Sequence, residues 1–219
     1  METGYLIVNL LGCVLIITST LVVLQRKLRN AAFTYAAQSL VLVSIFLTLA
    51  ITTGSTDLYL WSGTAFVTKV VLVPGIILFA LKKIGEDANK ELPSKLSPVL
   101  CILLVVGELV VCYLAVMGIK LPTAEEVHPA LAISLAHFFI GLTCIVSQRN
   151  IMKQIFGYCL MENGSHLTLA LLAPSAPGLI ETGVATDAIF AVIIMVIIAV
   201  KIYRTNHTLD AQDLMNLKG

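Results

Sequence analysis

Glu162 and His166 lie four residues apart within the otherwise apolar stretch 155-IFGYCLMENGSHLTLALL-172. On a helix this spacing stacks the two side chains on one face, about one turn apart. A carboxyl beside an imidazole can take up and release a proton, and the imidazole can orient it by a hydrogen bond. Four more ionisable residues sit in similar surroundings. Asp187 lies in 182-TGVATDAIFAVII-194 and Lys69 in 66-FVTKVVLVPGIIL-78, while His137 and Glu108 lie in 131-LAISLAHFFIGL-142 and 102-ILLVVGELVVCYL-114. Together the six are the candidates for proton transfer. Four also have a plainer reading: neutral acids hydrogen-bonded to neighbours for Glu162 and Asp187, a fixed ion pair for Lys69, a backbone contact for His137. Two central histidines could also bracket a haem, but no other cofactor signature accompanies them. No residue set suggests a catalytic centre or a metal site. The five cysteines (Cys13, Cys101, Cys112, Cys144, Cys159) sit in apolar runs without metal-ligand spacing and read as small hydrophobes.

The surroundings are those of a membrane protein. The chain has 219 residues, of which 58% are hydrophobic and 12% charged, about half the charge of a soluble domain. Apolar runs long enough to cross a bilayer, about 20 residues each, recur throughout. The expected spans are 4–24, 31–53, 57–82, 97–118, 128–147, 151–173 and 178–203. Breakers separate them: Gly54-Ser55, Pro93, Pro98, Pro122, Pro129 and the run Pro174 to Gly178. Seven spans put 12 of the 14 basic residues on one side, namely Arg26, Lys27, Arg29, Lys82, Lys83, Lys90, Lys95, Arg149, Lys153, Lys201, Arg204 and Lys218. The expected topology therefore has the N-terminus outside and the C-terminus in the cytoplasm. The first span follows no basic region and reads as a retained helix rather than a cleaved signal. The polar stretches 82–97 and 204–219 are too short for a catalytic domain, and no basic tract suggests nucleic acid.

The chain also echoes itself. Gln25-Arg26 and Tyr35 recur as Gln148-Arg149 and Tyr158, and Thr68-Lys69 and Lys83-Ile84 fall on Thr186-Asp187 and Lys201-Ile202. The expected fold is all-α and polytopic, with two parallel three-helix repeats related about the membrane normal and a connector helix. In a single integral membrane domain, 1–84 would be the first repeat and 85–127 the connector with span four. Residues 128–204 would be the second repeat and 205–219 a cytoplasmic tail. Lys69 and Asp187 each precede a basic-side lysine by fourteen residues, about 21 Å of helix, so both are expected at similar depth, facing the protein interior or a water-filled seam rather than lipid. Glu162 and Asp187, on adjacent antiparallel helices, are expected to lie close enough to pass a proton through water. Pro74 is expected to kink the third helix beside Lys69.

At 147-SQRNIMKQIFGYCLMENGSHLTLALL-172, 182-TGVATDAIFAVII-194, 37-AQSLVLVSIFLTL-49, 66-FVTKVVLVP-74 and 208-TLDAQDLMNLKG-219 the chain resembles the hydrogenase-4 component E family along essentially its whole length. The resemblance implies a membrane subunit of a group 4 [NiFe]-hydrogenase or formate hydrogenlyase complex in a bacterial inner membrane. The implied partners are antiporter-like membrane subunits and the hydrogenase module, with the nickel–iron centre and iron–sulfur clusters in those partners and no cofactor in this chain. The last three spans are also similar to the small K-type subunit of respiratory complex I. Arg149-Asn150 and Gly157 match that pattern, but its glutamate position holds Cys159, and the nearest acid is Glu162. Asp187 falls about one turn earlier than that family's second acid. The function so implied is proton translocation or its coupling to a redox module. A non-conducting linker subunit and a free-standing proton-coupled transporter are the competing readings.

Overall fold

The computed structural model describes residues 2–85, 94–118 and 127–215. Pro93, Pro122, Lys90, Lys120, Glu125, Glu126 and Lys218, on which part of the topology rests, lie outside the described residues. Among the described residues, regular structure is helical apart from one isolated antiparallel bridge between Asn150 and Asp210. The helices are α1 (Glu2–Leu24), α2 (Leu28–Thr53), α3 (Thr56–Ile84), α4 (Pro98–Met117), α5 (His128–Ser147), α6 (Ile151–Leu172), α7 (Gly178–Asn206) and the single turn α8 (Ala211–Leu214). The first seven match the expected spans within a few residues.

Among the described residues six helices are long and apolar enough to cross a membrane; of the first seven, α6 is the exception. It is 22 residues long but carries Lys153, Gln154, Glu162, Asn163 and His166. Its polarity is tolerable because it is wrapped by other helices. It packs against α1, α2, α5 and α7, and most of its residues are buried. Three glycines let α5 and α6 approach closely, as small residues do in membrane bundles. A Cβ on Gly164 would lie 2.8 Å from the Phe138 Cα and 2.9 Å from the Ser134 carbonyl, and Gly141 and Gly157 meet across the same seam.

Within each proposed repeat, successive helices pack side by side, and each helix of the first unit touches its counterpart in the second: α1 with α5, α2 with α6, α3 with α7. This is the neighbour pattern of one layer shifted onto another; a half-turn would set α1 against α7. The helix α4 packs on α5 and α1 at the margin. The layers enclose two apolar clusters. One, with Val22, Leu28, Tyr35, Ile77, Ile155 and Phe156, lies toward the end where the basic residues gather. The other, with Leu42, Phe46, Trp61, Ala130, Leu167 and Leu171, lies toward the opposite end. Between them, at mid-length on five helices, fall buried Ser19, Gln38, Ser39, Lys69, Ser134, His137, Asn163 and His166.

The expected kink at Pro74 takes a different form. Residues Phe66–Leu72 make a π-helical stretch, with the Val73 N–H bonded to the Thr68 carbonyl, five residues back. Pro74 then opens the α-helical continuation, so α3 runs through. A proline deletes one donor of the ladder, and local π geometry re-satisfies the rest.

At the basic end, side chains close the helix ends. Lys153, one of the basic residues expected on the cytoplasmic side, is buried and donates to the carbonyls of Val23 (2.8 Å) and Gln25 at the end of α1. The Gln148 amide also donates to Val23 O. A lysine there satisfies orphan carbonyls and complements the negative helix terminus. After α7, His207 adopts a left-handed conformation (φ 54°) and the chain folds back onto the α5–α6 junction. Arg149 forms an ion pair with Asp210, the Ala211 N–H donates to the Arg149 carbonyl, and the Ile151 N–H to that of Leu209. Burial pushes the Asp210 carboxyl up, but hydrogen bonds from Arg149 and the Gln212 N–H and the charges of Arg149 and Lys95 hold it below the usual carboxylate range.

Candidate proton-transfer site

The buried polar residues at mid-length form one connected line. On α1, Ser19 Oγ lies 2.8 Å from His137 Nδ1 on α5. The other ring nitrogen of His137 lies 3.3 Å from Gln38 Nε2 on α2. Gln38 Oε1 accepts from Asn163 Nδ2 on α6 at 3.2 Å. Asn163 Oδ1 accepts from Lys69 Nζ on α3 at 2.8 Å, and Lys69 also donates to the Glu162 carboxylate. The other oxygen of Glu162 lies 3.4 Å from His166 Nδ1. The line thus crosses five helices, α1, α5, α2, α6 and α3.

Its placement follows from helical periodicity. Glu162, Asn163 and His166 share the face of α6 that meets α2 and α3, opposite the glycine seam with α5, so the opening spacing does put carboxyl and imidazole on one interior face. The π stretch carries Lys69, at 2% exposure, toward α6. His166 sits in an aromatic box, its ring centroid 5.6 Å from those of both Phe46 and Trp61. Lys69, Glu162, His166 and His137 are the ionisable members of the line; Gln38, Asn163 and Ser19 hold them in register. Glu162 and Lys69 share a direct ion pair, so any proton gained or lost by one changes the field on the other.

Four of the six sequence candidates, Lys69, Glu162, His166 and His137, are therefore joined in one network. The other two are not. Glu108 on α4 is half-buried in the groove against α5 and accepts from Thr143; its other oxygen is buried without a partner among the described residues. Asp187 departs from expectation: it is exposed on the outer face of α7. The partners of Glu162 are Lys69 and His166 rather than Asp187. The physical reason is that α7 lies at the edge of its layer, so Asp187, about half-way round the helix from the packed face marked by Ala185 and Val192, points out of the bundle. Sequence reasoning missed Gln38, Asn163 and Ser19, which are uncharged. Their signal was available: amides and hydroxyls at mid-span need partners in a setting without water. Among the described residues no group of three or more His, Cys, Asp or Glu could hold a metal ion.

Residues 129–219 match the family model of the NADH-ubiquinone/plastoquinone oxidoreductase chain 4L. Over 217 residues, 99% of this chain and 100% of the relative, the chain is 51% identical to the protein named hydrogenase-4 component E of Escherichia coli K12. The proteins of that name in Escherichia coli O157:H7 and Shigella flexneri match to the same extent. No solved structure matches the chain.

Proposed function

Because the chain belongs to the hydrogenase-4 component E family, we propose that it serves as a proton-coupling membrane subunit of a hydrogenase complex related to respiratory complex I. In this reading the chain holds no catalytic centre. Hydrogen chemistry, with its nickel–iron centre and iron–sulfur clusters, belongs to partner subunits, and antiporter-like proteins flank this one in a bacterial inner membrane. The basic end faces the cytoplasm by the positive-inside rule.

The observation that carries the proposal is the buried line from His137 through Gln38 and Asn163 to Lys69, Glu162 and His166. Ionisable groups inside a bilayer are costly, about 2.5 kcal/mol or more each on insertion scales, and they persist where they move charge or bind it. The ion pair Lys69–Glu162 is the switchable element. With the carboxylate charged, Lys69 is held on α6. With the carboxyl protonated, Lys69 keeps Asn163 as a hydrogen-bond acceptor but loses its counter-charge. A redox event in a partner that favours one state over the other would load or unload a proton here. Each charge so moved across the full membrane exchanges about 2.3 kcal/mol per 100 mV with the potential.

The same ion pair favours a second reading, in which it only locks α3 to α6 and the chain is a linker. Sealed vesicles containing the whole complex separate the two. Glu162→Gln should leave subunit content intact and lower proton uptake per hydrogen turnover, with a milder loss for His166→Ala. Undiminished uptake with normal assembly would make Glu162 a structural acid and leave the linker reading.

A further inference from the structure

An apolar groove of about 420 Å³ runs between α3 and α7 at the basic end of the bundle. Its walls are Ile76, Phe79 and Ala80 from α3 and Ile193, Val196, Ile197 and Val200 from α7, and three cations, Lys83, Lys201 and Arg204, close its end. From Ile76 to Lys83 and from Ile193 to Arg204 the helices advance about 10 and 16 Å at 1.5 Å per residue. One end of the groove therefore lies at the depth of headgroups and the rest at the depth of acyl chains. No acid lines it among the described residues. Nothing in the proton-transfer line uses it: Lys69 points to α6, one helix away from this seam.

We propose that this groove is a binding site for an anionic phospholipid of the leaflet at the basic end. The phosphate would lie among Lys83, Lys201 and Arg204, and an acyl chain would lie along the apolar walls between α3 and α7. The size suits part of such a ligand, since pockets for organic ligands run from about 300 to 1,000 Å³. Charge complementarity decides the class. Three cations at the mouth of an apolar seam between two membrane helices select a negative headgroup over a zwitterionic one, as basic interhelical pockets do. The exposed Phe79 (69%) and Ile197 (60%) gain cover from the chain. Because α3 and α7 touch through this seam, a lipid held in it would also tie the edge helix α7 to the helix that carries Lys69.

The test uses the full chain in nanodiscs of phosphatidylcholine with a minor fraction of phosphatidylglycerol or cardiolipin, with retained lipid counted by native mass spectrometry after transfer to detergent. The wild type should retain an anionic lipid over phosphatidylcholine by roughly 10-fold or more, given three cations near the headgroup. Lys83→Gln/Lys201→Gln/Arg204→Gln should abolish that preference. Ile197→Trp, which fills an exposed part of the groove and keeps every charge, should lower retention too. Arg26→Gln/Lys27→Gln/Arg29→Gln, equal in charge lost and placed on the α1–α2 connection, should leave it. Equal loss in both triple variants would reduce the effect to general surface charge and overturn the proposal. So would cross-linking of a Phe79 photoprobe to a partner protein rather than to lipid in the intact complex.

Discussion

Lys69 and Asp187 occupy corresponding positions in the two halves of the chain, each fourteen residues before a lysine at the basic end. Their environments are opposite. Lys69 is buried, bonded to Glu162 and Asn163 across the layer; Asp187 is exposed on the outer face of α7. Equal register fixes depth along the membrane normal but says nothing about azimuth. The π stretch in α3 adds an extra residue to the turn just where Lys69 sits, which rotates its side chain toward α6. In α7 the helix is regular, and the acid stays on the face away from its neighbours. One half of the molecule has turned its charge inward, and the other presents its charge to whatever surrounds the bundle.

Removing the inward cation is the harshest way to test that contrast. Lys69→Met leaves the Glu162 carboxylate without its main partner, and breaking a buried pair by removing one member costs about 3–5 kcal/mol. The chain should then accumulate poorly in membranes, and Lys69→Met/Glu162→Gln should recover most of the loss. Equal accumulation of the single variant and the wild type would mean the pair is wetted and cheap to break. Glycines sharpen the same comparison. Gly164→Leu forces a side chain against the α5 backbone, and overpacking of this kind costs about 1–3 kcal/mol. Gly183→Leu on the edge helix meets open space in the chain by itself and should leave thermal unfolding in detergent unchanged. A matching drop for both would show that α7 is packed as tightly as α6.

The tail gives a smaller, pH-dependent effect. Because Arg149 and its neighbours hold the Asp210 carboxyl below its unfolded value, the latch contributes fully above about pH 4 and is lost as pH falls through the folded pKa. The protection of the Ala211 and Ile151 amides from hydrogen exchange, relative to the intrinsic rate at each pH, should fall on acidification over that window. Asp210→Asn should exchange fast at every pH. Smallest of all, Asp187→Asn should leave stability of the isolated chain unaltered within about 0.5 kcal/mol, as for exposed substitutions; a larger loss would place Asp187 in a contact within the chain.

Much of this was legible in the sequence. Hydropathy and breakers located the helices, because a bilayer imposes a length on every span. The i, i+4 spacing put Glu162 and His166 together, because backbone geometry alone dictates it. What escaped was lateral packing. Lys69 reaching Glu162, Gln38 bridging His137 to Asn163, and Lys153 closing α1 all depend on which helix faces which, and periodicity within one helix does not encode that. The azimuth of Asp187 escaped for the same reason: an interior or seam-facing orientation was inferred from cost, yet an edge helix can leave an acid outside the chain's own bundle. The polarity of α6, which lowers its mean hydropathy below that of its neighbours, was itself the clue to the centre of the bundle.

The central claim is that the buried pair Lys69–Glu162, and not Asp187, changes protonation when the complex works. Infrared difference spectra of the assembled complex, taken as it is driven between its reduced and oxidised states, report carboxyl groups that gain or lose a proton. A protonated-carboxyl band should appear in the wild type, persist in Asp187→Asn and vanish in Glu162→Gln. A band that survives Glu162→Gln and disappears with Asp187→Asn would contradict the account.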